Sequence, residues 1–167
     1  MSETVQALKI NLETNNSTLI ISMDGKIEDQ FSKFVLQLSS VIHKFQEVEI
    51  NMDKITFINS PGIREWIRLM VLLKNMKTAI SFCPPLIVNQ INLVEGFVNK
   101  NTVMKSFYVS YYNEEKDIEK KILYVSGKDY ATDFLNIKEH VEEDGNIFKL
   151  DVIKIKYFNF LGKKTNV

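Results

Sequence analysis

The fold of this chain is decided by residues 55–67, which read ITFINSPGIREWI. Before the Ser-Pro-Gly turn the residues are mostly apolar and β-branched, as in a buried strand. After the turn, Ile63 and Trp66 recur at helical spacing. Ser60 is therefore predicted as the helix N-cap and Pro61 as the first helical residue, where its missing N–H costs nothing. A strand that turns this sharply into a helix presents the turn to a partner.

The residues before this stretch predict a hairpin followed by an amphipathic helix. Residues 5–12 and 18–23 are rich in Val, Ile, Leu and Thr, and polar turn residues separate them. From Asp29 the apolar residues follow a helical period as far as Phe45. This pattern predicts one helix with a single buried face.

Three further elements are predicted after the second helix: a strand at residues 78–83, a helix at 86–98 and a strand at 106–112. Strands and helices thus alternate along the chain, which is typical of an α/β fold. We expect a mixed β-sheet with the helices packed mainly on one face. The strand at 106–112 is expected to close that sheet.

The helix that begins at Pro61 is predicted to run to about residue 76, and apolar residues occupy most of its circumference. A helix this apolar needs cover on more than its sheet side. The cover is expected either from the C-terminal segment of the same chain or from a second subunit in a homodimer. The polar residues of the helix form one strip through Arg64, Arg68 and Asn75, with Glu65 beside it.

The strand, turn and helix at residues 55–67 resemble the signature of the STAS domain, the anti-sigma-factor antagonist family. That motif reads as a hydrophobic strand, then Asp-Ser-Ser-Gly, then a helix that starts with Ile or Leu. Here Asn59 stands at the Asp position, Ser60 at the first Ser and Pro61 at the second. In the family a partner kinase phosphorylates the second Ser. The resemblance therefore implies a STAS-like fold and a binding role, but without the usual phosphoacceptor.

The resemblance divides the chain into a STAS-like domain, residues 1–112, and a small β-rich appendage, residues 113–167. The appendage resembles the tail of STAS-like bacterial proteins in which a zinc ribbon follows the last strand. The resemblance implies a degenerate ribbon that has lost its metal, because no cysteine remains at the four ligand positions. Those positions correspond here to Asn113, Lys116, Val141 and Asp144.

The residues of the appendage also allow a simpler reading, a β-hairpin around Asp144 and Gly145, since Asp-Gly is a strong hairpin signal. In either case something other than metal must hold the segment. Its aromatic tail at residues 157–161 is expected to pack against the helix that begins at Pro61, because both are rich in apolar side chains.

Composition makes several classes of function improbable. The 167 residues carry 21 Lys and Arg against 21 Asp and Glu, so no basic field attracts nucleic acid. No stretch reaches the roughly 18 apolar residues of a membrane span, and the N-terminus lacks a signal sequence, so we expect a cytoplasmic protein. The single cysteine, Cys83, cannot form an internal disulfide and is expected to be buried and inert.

Recognisable motifs of catalysis and metal binding are missing from the sequence. His43 and His140 stand alone, and there is no glycine-rich phosphate loop, nucleophile elbow or Cys/His pair. The acidic segments 113–117 and 139–144 lack the alternating oxygen ligands of a calcium loop. We therefore expect neither a cofactor nor enzyme activity.

Two functions remain open. The first is a non-enzymatic interaction module that binds a regulator, such as an anti-sigma factor or a kinase-like protein. The second is a sensor that binds a nucleotide or another anion at the N-terminus of the Pro61 helix, where free N–H groups stabilise negative charge. Ser60 is a candidate phosphoacceptor. The partner surface is expected at Asn59, Ser60, Pro61, Gly62, Arg64 and Arg68.

Overall fold

The computed structural model describes residues 8–162, and the first half of the chain forms a five-stranded sheet in the order β1-β2-β3-β4-β5. The first two strands are antiparallel and the others follow in parallel. Residues 5–7 of the predicted hairpin lie outside the described range. The strands are β1 (Lys9–Asn15), β2 (Thr18–Ile27), β3 (Glu47–Ile58), β4 (Lys77–Ser81) and β5 (Thr102–Met104).

One face of this sheet is buried beneath helices α1 (Phe31–Ser39), α2 (Ser60–Leu72) and α3 (Pro85–Leu93). Along β2, buried residues alternate with half-buried ones, because neighbouring side chains of a strand point to opposite faces. The apolar set of β2 and the buried stripes of the helices together make the core. The predicted α/β fold with a mixed sheet is confirmed.

The first helix is shorter than predicted. A single helix as far as Phe45 was wrong, because α1 ends at Ser39 and a separate 3-10 turn follows at Ile42–Lys44. The hydroxyls of Ser39 and Ser40 donate to the carbonyl oxygens three residues earlier, at 2.6 and 2.7 Å. Such bonds compete with helical ones and are typical where a helix stops.

The second half of the chain forms a four-stranded antiparallel sheet in the order β7-β6-β9-β8. Two short helices follow it. The elements are β6 (Ser106–Asn113), β7 (Ile118–Val125), β8 (His140–Glu143), β9 (Asn146–Leu150), α4 (Lys154–Tyr157) and α5 (Asn159–Gly162).

The strand expected to close the first sheet does not do so. That position belongs to β5, and β6 leaves the first sheet after a single bridge between Cys83 and Phe107. The reason is that β4 stops at Ser81, just before two prolines, and so offers β6 no further ladder. Since β6 pairs with β7 along its whole length, the boundary expected at residue 112 cuts through a hairpin.

The cover of α2 comes from the same chain, although not from its C-terminal segment as expected. Trp66 is fully buried between Phe31 and Phe97, with ring centroids 6.3 and 5.4 Å apart, and its Nε1 donates to the Phe97 carbonyl oxygen at 2.7 Å. The cover therefore comes from α1 and from the turn after α3.

The expected contact between the aromatic tail and α2 was wrong. Phe158 and Phe160 pack instead on Phe107 of β6, at 6.1 and 5.1 Å between ring centroids. Asn92 of α3 ties the tail further, because its Nδ2 donates to the Tyr157 carbonyl oxygen at 2.8 Å. Hydrophobic burial is not directional, so an apolar tail takes the nearest uncovered surface.

The hairpin around Asp144 and Gly145 is confirmed, since β8 and β9 pair across this turn and both residues have positive φ. The turn before β7 lies beside it, and Asn113 joins the two. The Asn113 Oδ1 accepts from the Lys116 N–H at 2.8 Å, and its Nδ2 donates to the Ile147 carbonyl oxygen at 2.9 Å. A degenerate ribbon remains a prediction.

Burial raises the pKa of the Cys83 thiol above its usual value, which keeps the thiol in the weakly reactive protonated form.

A further contact links the two sheets, because the Tyr108 hydroxyl of β6 donates to Asp53 Oδ1 of β3 at 2.6 Å. Within residues 8–162, no helix has the length and apolar character needed to cross a membrane.

Candidate functional site

The turn between β3 and α2 lies at the carboxyl edge of the parallel strands. Ile58, the last residue of β3, pairs with Ile27, the last residue of β2. The Asn59 N–H then donates to the Ile27 carbonyl oxygen at 3.3 Å, so the turn starts from a fixed point on the sheet. This edge is where open α/β sheets commonly present their binding groups.

Asn59, and not Ser60, is the N-cap of α2. Asn59 has an extended backbone, and its Oδ1 accepts from the Gly62 N–H at 2.8 Å, while Ser60 is the first helical residue. The prediction of Ser60 as the cap was therefore wrong by one position. Asn and Ser are equally good caps, so sequence alone could not separate them when they are adjacent.

Asn59 makes a second hydrogen bond that an aspartate could not make. Its Nδ2 donates to Oε1 of Glu28 at 3.4 Å, and a carboxylate at this position would have no N–H to offer and would repel Glu28. Asn59 thus connects the start of α2 to the segment between β2 and α1. Glu28 was not among the predicted site residues, and only the fold brings it here.

Gly62 is required by close packing against the sheet. A Cβ at this position would lie 2.1 Å from the carbonyl oxygen of Ile27. No side chain fits such a gap, so the first turn of α2 sits directly on the end of β2. Because Gly62 and Asn59 both hold the turn to Ile27, the backbone of the predicted partner surface is fixed in place.

The side chains that the turn leaves in solvent are those of Ser60, Arg64 and Arg68, while Pro61 is half-buried. The Ser60 hydroxyl makes no hydrogen bond within residues 8–162. It is therefore not needed to hold the helix. The structure places the predicted residues of this surface side by side on one short segment, with Asn59 and Gly62 inside it and the other residues facing outward.

Glu65 is the unexpected member of this segment. Although it is charged, it is only 5% exposed, and its carboxylate accepts from Arg68 Nη1 at 2.8 and 3.0 Å. Arg64 Nε lies 3.7 Å from the same carboxylate. The sequence predicted Glu65 beside the exposed polar strip, and the packing of α1 beside α2 buries it. Arg68 is consequently held in a defined position.

The first turn of α2 has few N–H groups to offer an anion. Pro61 has none, and the N–H groups of Gly62 and Ile63 both donate to Asn59 at 2.8 Å. Anion sites at helix N-termini depend on several N–H groups that point at the ligand. The geometry therefore disfavours the anion-sensor alternative at this helix. Within residues 8–162, no group of three or more His, Cys, Asp or Glu is placed to hold a metal ion.

No protein-family model matches the sequence, and no curated protein matches it. Solved structures do resemble it, over part of its length. One is the anti-sigma factor antagonist SpoIIAA in its unphosphorylated form, with 18% identity and a TM-score of 0.38 over 44% of this chain and 72% of that one.

Two further solved structures are similar to this chain. An anti-sigma factor antagonist from Mycobacterium paratuberculosis has 15% identity and a TM-score of 0.44, over 56% of this chain and 81% of its own. A protein from Shewanella loihica with a SpoIIAA-like fold, of the DUF3478 family, has 16% identity and a TM-score of 0.47, over 62% and 89%. At such values the likeness does not extend to function.

Proposed function

We propose that this protein is a non-enzymatic, cytoplasmic interaction module that binds a regulatory protein through the surface of residues 59–68, called here the turn surface. The observation that carries the proposal is a rigid turn whose backbone is held by Asn59 and Gly62. A surface that is already fixed loses little conformational entropy when a partner binds.

The chemistry of the turn surface supports the same proposal. Arg64 and Arg68 are mostly exposed, and arginine is enriched among the residues that dominate protein interfaces. The hydrogen bond to the buried Glu65 holds the Arg68 side chain in place in the unbound protein. The resemblance of this turn to the anti-sigma-factor antagonist signature makes an anti-sigma factor or a kinase-like regulator the natural partner class.

Ser60 adds a means of regulation to the proposal. Its hydroxyl is exposed and does not cap the helix, and Arg64 follows four residues later, where a helical side chain can reach a phosphate on residue 60. Pro61 has no hydroxyl, so the usual acceptor of the family is absent. Incubation with ATP and each candidate kinase, followed by phosphate mapping, tests Ser60 directly.

The binding proposal is tested by affinity purification from the source cell with three proteins: the wild type, Arg64→Glu and Lys74→Glu. Lys74 is exposed just beyond α2, so its reversal is a matched control for charge. We expect one stoichiometric partner that the wild type and Lys74→Glu retain and Arg64→Glu loses, with equal melting temperatures for all three. A partner retained by all three would place the interface elsewhere. A retained small molecule in native mass spectra, with no protein partner, would favour the sensor.

A further inference from the structure

The groove between α1 and α2 lies beside the turn surface. It has a volume of about 410 Å³, and the residues that matter in it are Lys33, Val35, Leu36, Glu65, Arg68 and Leu72. Val35 and Leu72 are half-buried in it, and Glu65 is buried. The groove is thus an apolar trough with polar residues along its side.

A large apolar side chain stands exposed in this groove. Leu36 on α1 is 75% exposed, and it lies beside the half-buried Val35 and Leu72. A single exposed apolar residue is ordinary. Leu36 together with the half-buried Val35 and Leu72 forms an apolar patch, and such patches mark binding surfaces. The fold itself does not need Leu36 to be apolar, because the side chain contributes little burial.

The charge around the groove is positive. Lys33 lies on α1, and Arg64 and Arg68 lie on α2, all three with exposed side chains. The one acidic residue in the groove is Glu65, and it is already paired with Arg68. A two-fold dimer through this face would bring together two patches of the same net positive charge, so the charge opposes a homodimer here.

We propose that the α1–α2 groove binds an acidic amphipathic helix of a partner protein. The apolar side chains of that helix, three and four residues apart, enter the trough beside Leu36, and its carboxylates meet Lys33 and the two arginines. Such side chains lie about 6 Å apart along one helix face. The inference rests on the proposed function and deepens it, because Arg68 belongs to both surfaces and Arg64 lies on the same helix.

The test uses synthetic helical peptides of one amphipathic design, with an apolar stripe of Leu and a polar face that varies from Glu-rich to Lys-rich. Their binding to the full-length protein is measured by fluorescence anisotropy. We expect the Glu-rich peptides to bind and the Lys-rich ones not to bind. Leu36→Ser is expected to lower the affinity for the Glu-rich peptides about tenfold, which corresponds to about 1.4 kcal/mol of binding free energy.

Two further variants complete the test. Leu93→Ser is the matched control, since Leu93 is 79% exposed on α3, away from the groove, and it should bind as the wild type does. Lys33→Glu should lower the affinity for the Glu-rich peptides and raise the affinity for the Lys-rich ones. Equal binding of both peptide types would overturn the inference, and so would binding that neither Leu36→Ser nor Lys33→Glu changes.

The same variants separate this inference from the proposed function. If binding of a cellular partner requires Arg64 but not Leu36, the proposed interaction module is supported and the proposed groove site is wrong. If Glu-rich peptides need Leu36 while no cellular partner depends on Arg64, the groove stands as a helix-binding site and the turn surface does not.

Discussion

The two halves of the chain bury their surface in different ways. In the first region, residues 9–104, a mixed sheet and three helices enclose a mainly aliphatic core that contains the chain's one tryptophan, Trp66. In the second region, residues 106–162, short hairpins surround aromatic rings, and all six tyrosines of the chain lie there. Trp66 and the tyrosines therefore report separately on the two regions.

The second region is held by several buried tyrosine hydroxyls that donate to backbone carbonyl oxygens, whereas the first region has no tyrosine. The Tyr130 hydroxyl donates to the Met104 carbonyl oxygen at 2.7 Å, the Tyr111 hydroxyl to that of Lys138 at 2.7 Å, and the Tyr157 hydroxyl to that of Tyr108. A buried phenol needs such a partner. The second region thus has several buried phenols in its core, whereas the first region contains no tyrosine.

The largest expected effect is unfolding of the second region at high pH. Burial raises the pKa of Tyr111, Tyr130 and Tyr157 above 10.0, the ordinary value. The folded state then holds the protons more tightly than the unfolded chain does. The stabilisation is fully present below pH 10, and it is lost as pH rises through the folded-state pKa values. The tyrosine near-UV circular dichroism should vanish before the Trp66 emission shifts.

The matched control for the alkaline experiment is Tyr130→Phe, which removes one titrating group and should move the transition to higher pH. Should Trp66 and the tyrosines report one common transition, the two regions would unfold as a single unit. The two regions would then differ in amino-acid composition but not in stability.

The next effect comes from truncating one buried aromatic side chain in each region. Trp66→Ala and Phe107→Ala should each cost about 3–5 kcal/mol, since both side chains are fully buried. Phe107→Ala should lower the urea midpoint of the tyrosine signal and leave that of Trp66 unchanged. Trp66→Ala should lower the midpoint of the tyrosine signal too. The reason is that α4 and α5 need α3 of the first region for cover, whereas Trp66 is covered by Phe31 and Phe97 of its own region. Equal shifts of both signals in Phe107→Ala would contradict this one-way dependence.

Sequence reasoning worked well for the first region because its information is local. A strand, a turn and a helix follow one another in 55–67, and each carries its own period. The exposed strip through Arg64 and Arg68 follows from the same period. The sequence could not predict the burial of Glu65, because that burial depends on how α1 lies beside α2.

The second region was harder to predict because its pairing is not local. The strand β6 leaves one sheet and pairs with β9, which lies far from it in the sequence. The alternation of side chains along β6 would be the same in either sheet, so it could not reveal the partner strand. The position of the aromatic tail failed for a related reason, since α2 and Phe107 are equally acceptable apolar surfaces until α1 has covered the first.

A smaller effect is expected at Asn113, which joins the two hairpin turns of the second region. Asn113→Ala removes both bonds and leaves the Ile147 carbonyl oxygen and the Lys116 N–H without them, at a cost of about 1–3 kcal/mol. The tyrosine signal should melt at lower urea concentration while the Trp66 signal does not move. Asn146→Ala is the control in the neighbouring turn, because its amide bonds only the exposed turn itself. Equal effects of the two substitutions would show that Asn113 is not a special link.

The smallest expected effect lies at the turn surface, where it separates support of the fold from contact with a partner. Asn59→Ala should cost about 1–2 kcal/mol, because the Gly62 N–H loses its acceptor. Ser60→Ala should change the free energy of unfolding by less than about 0.5 kcal/mol, since the Ser60 side chain is exposed. Urea titration followed by Trp66 emission measures both values. If Ser60→Ala cost as much as Asn59→Ala, Ser60 would share in the cap after all, and its hydroxyl would not be available as the proposed acceptor.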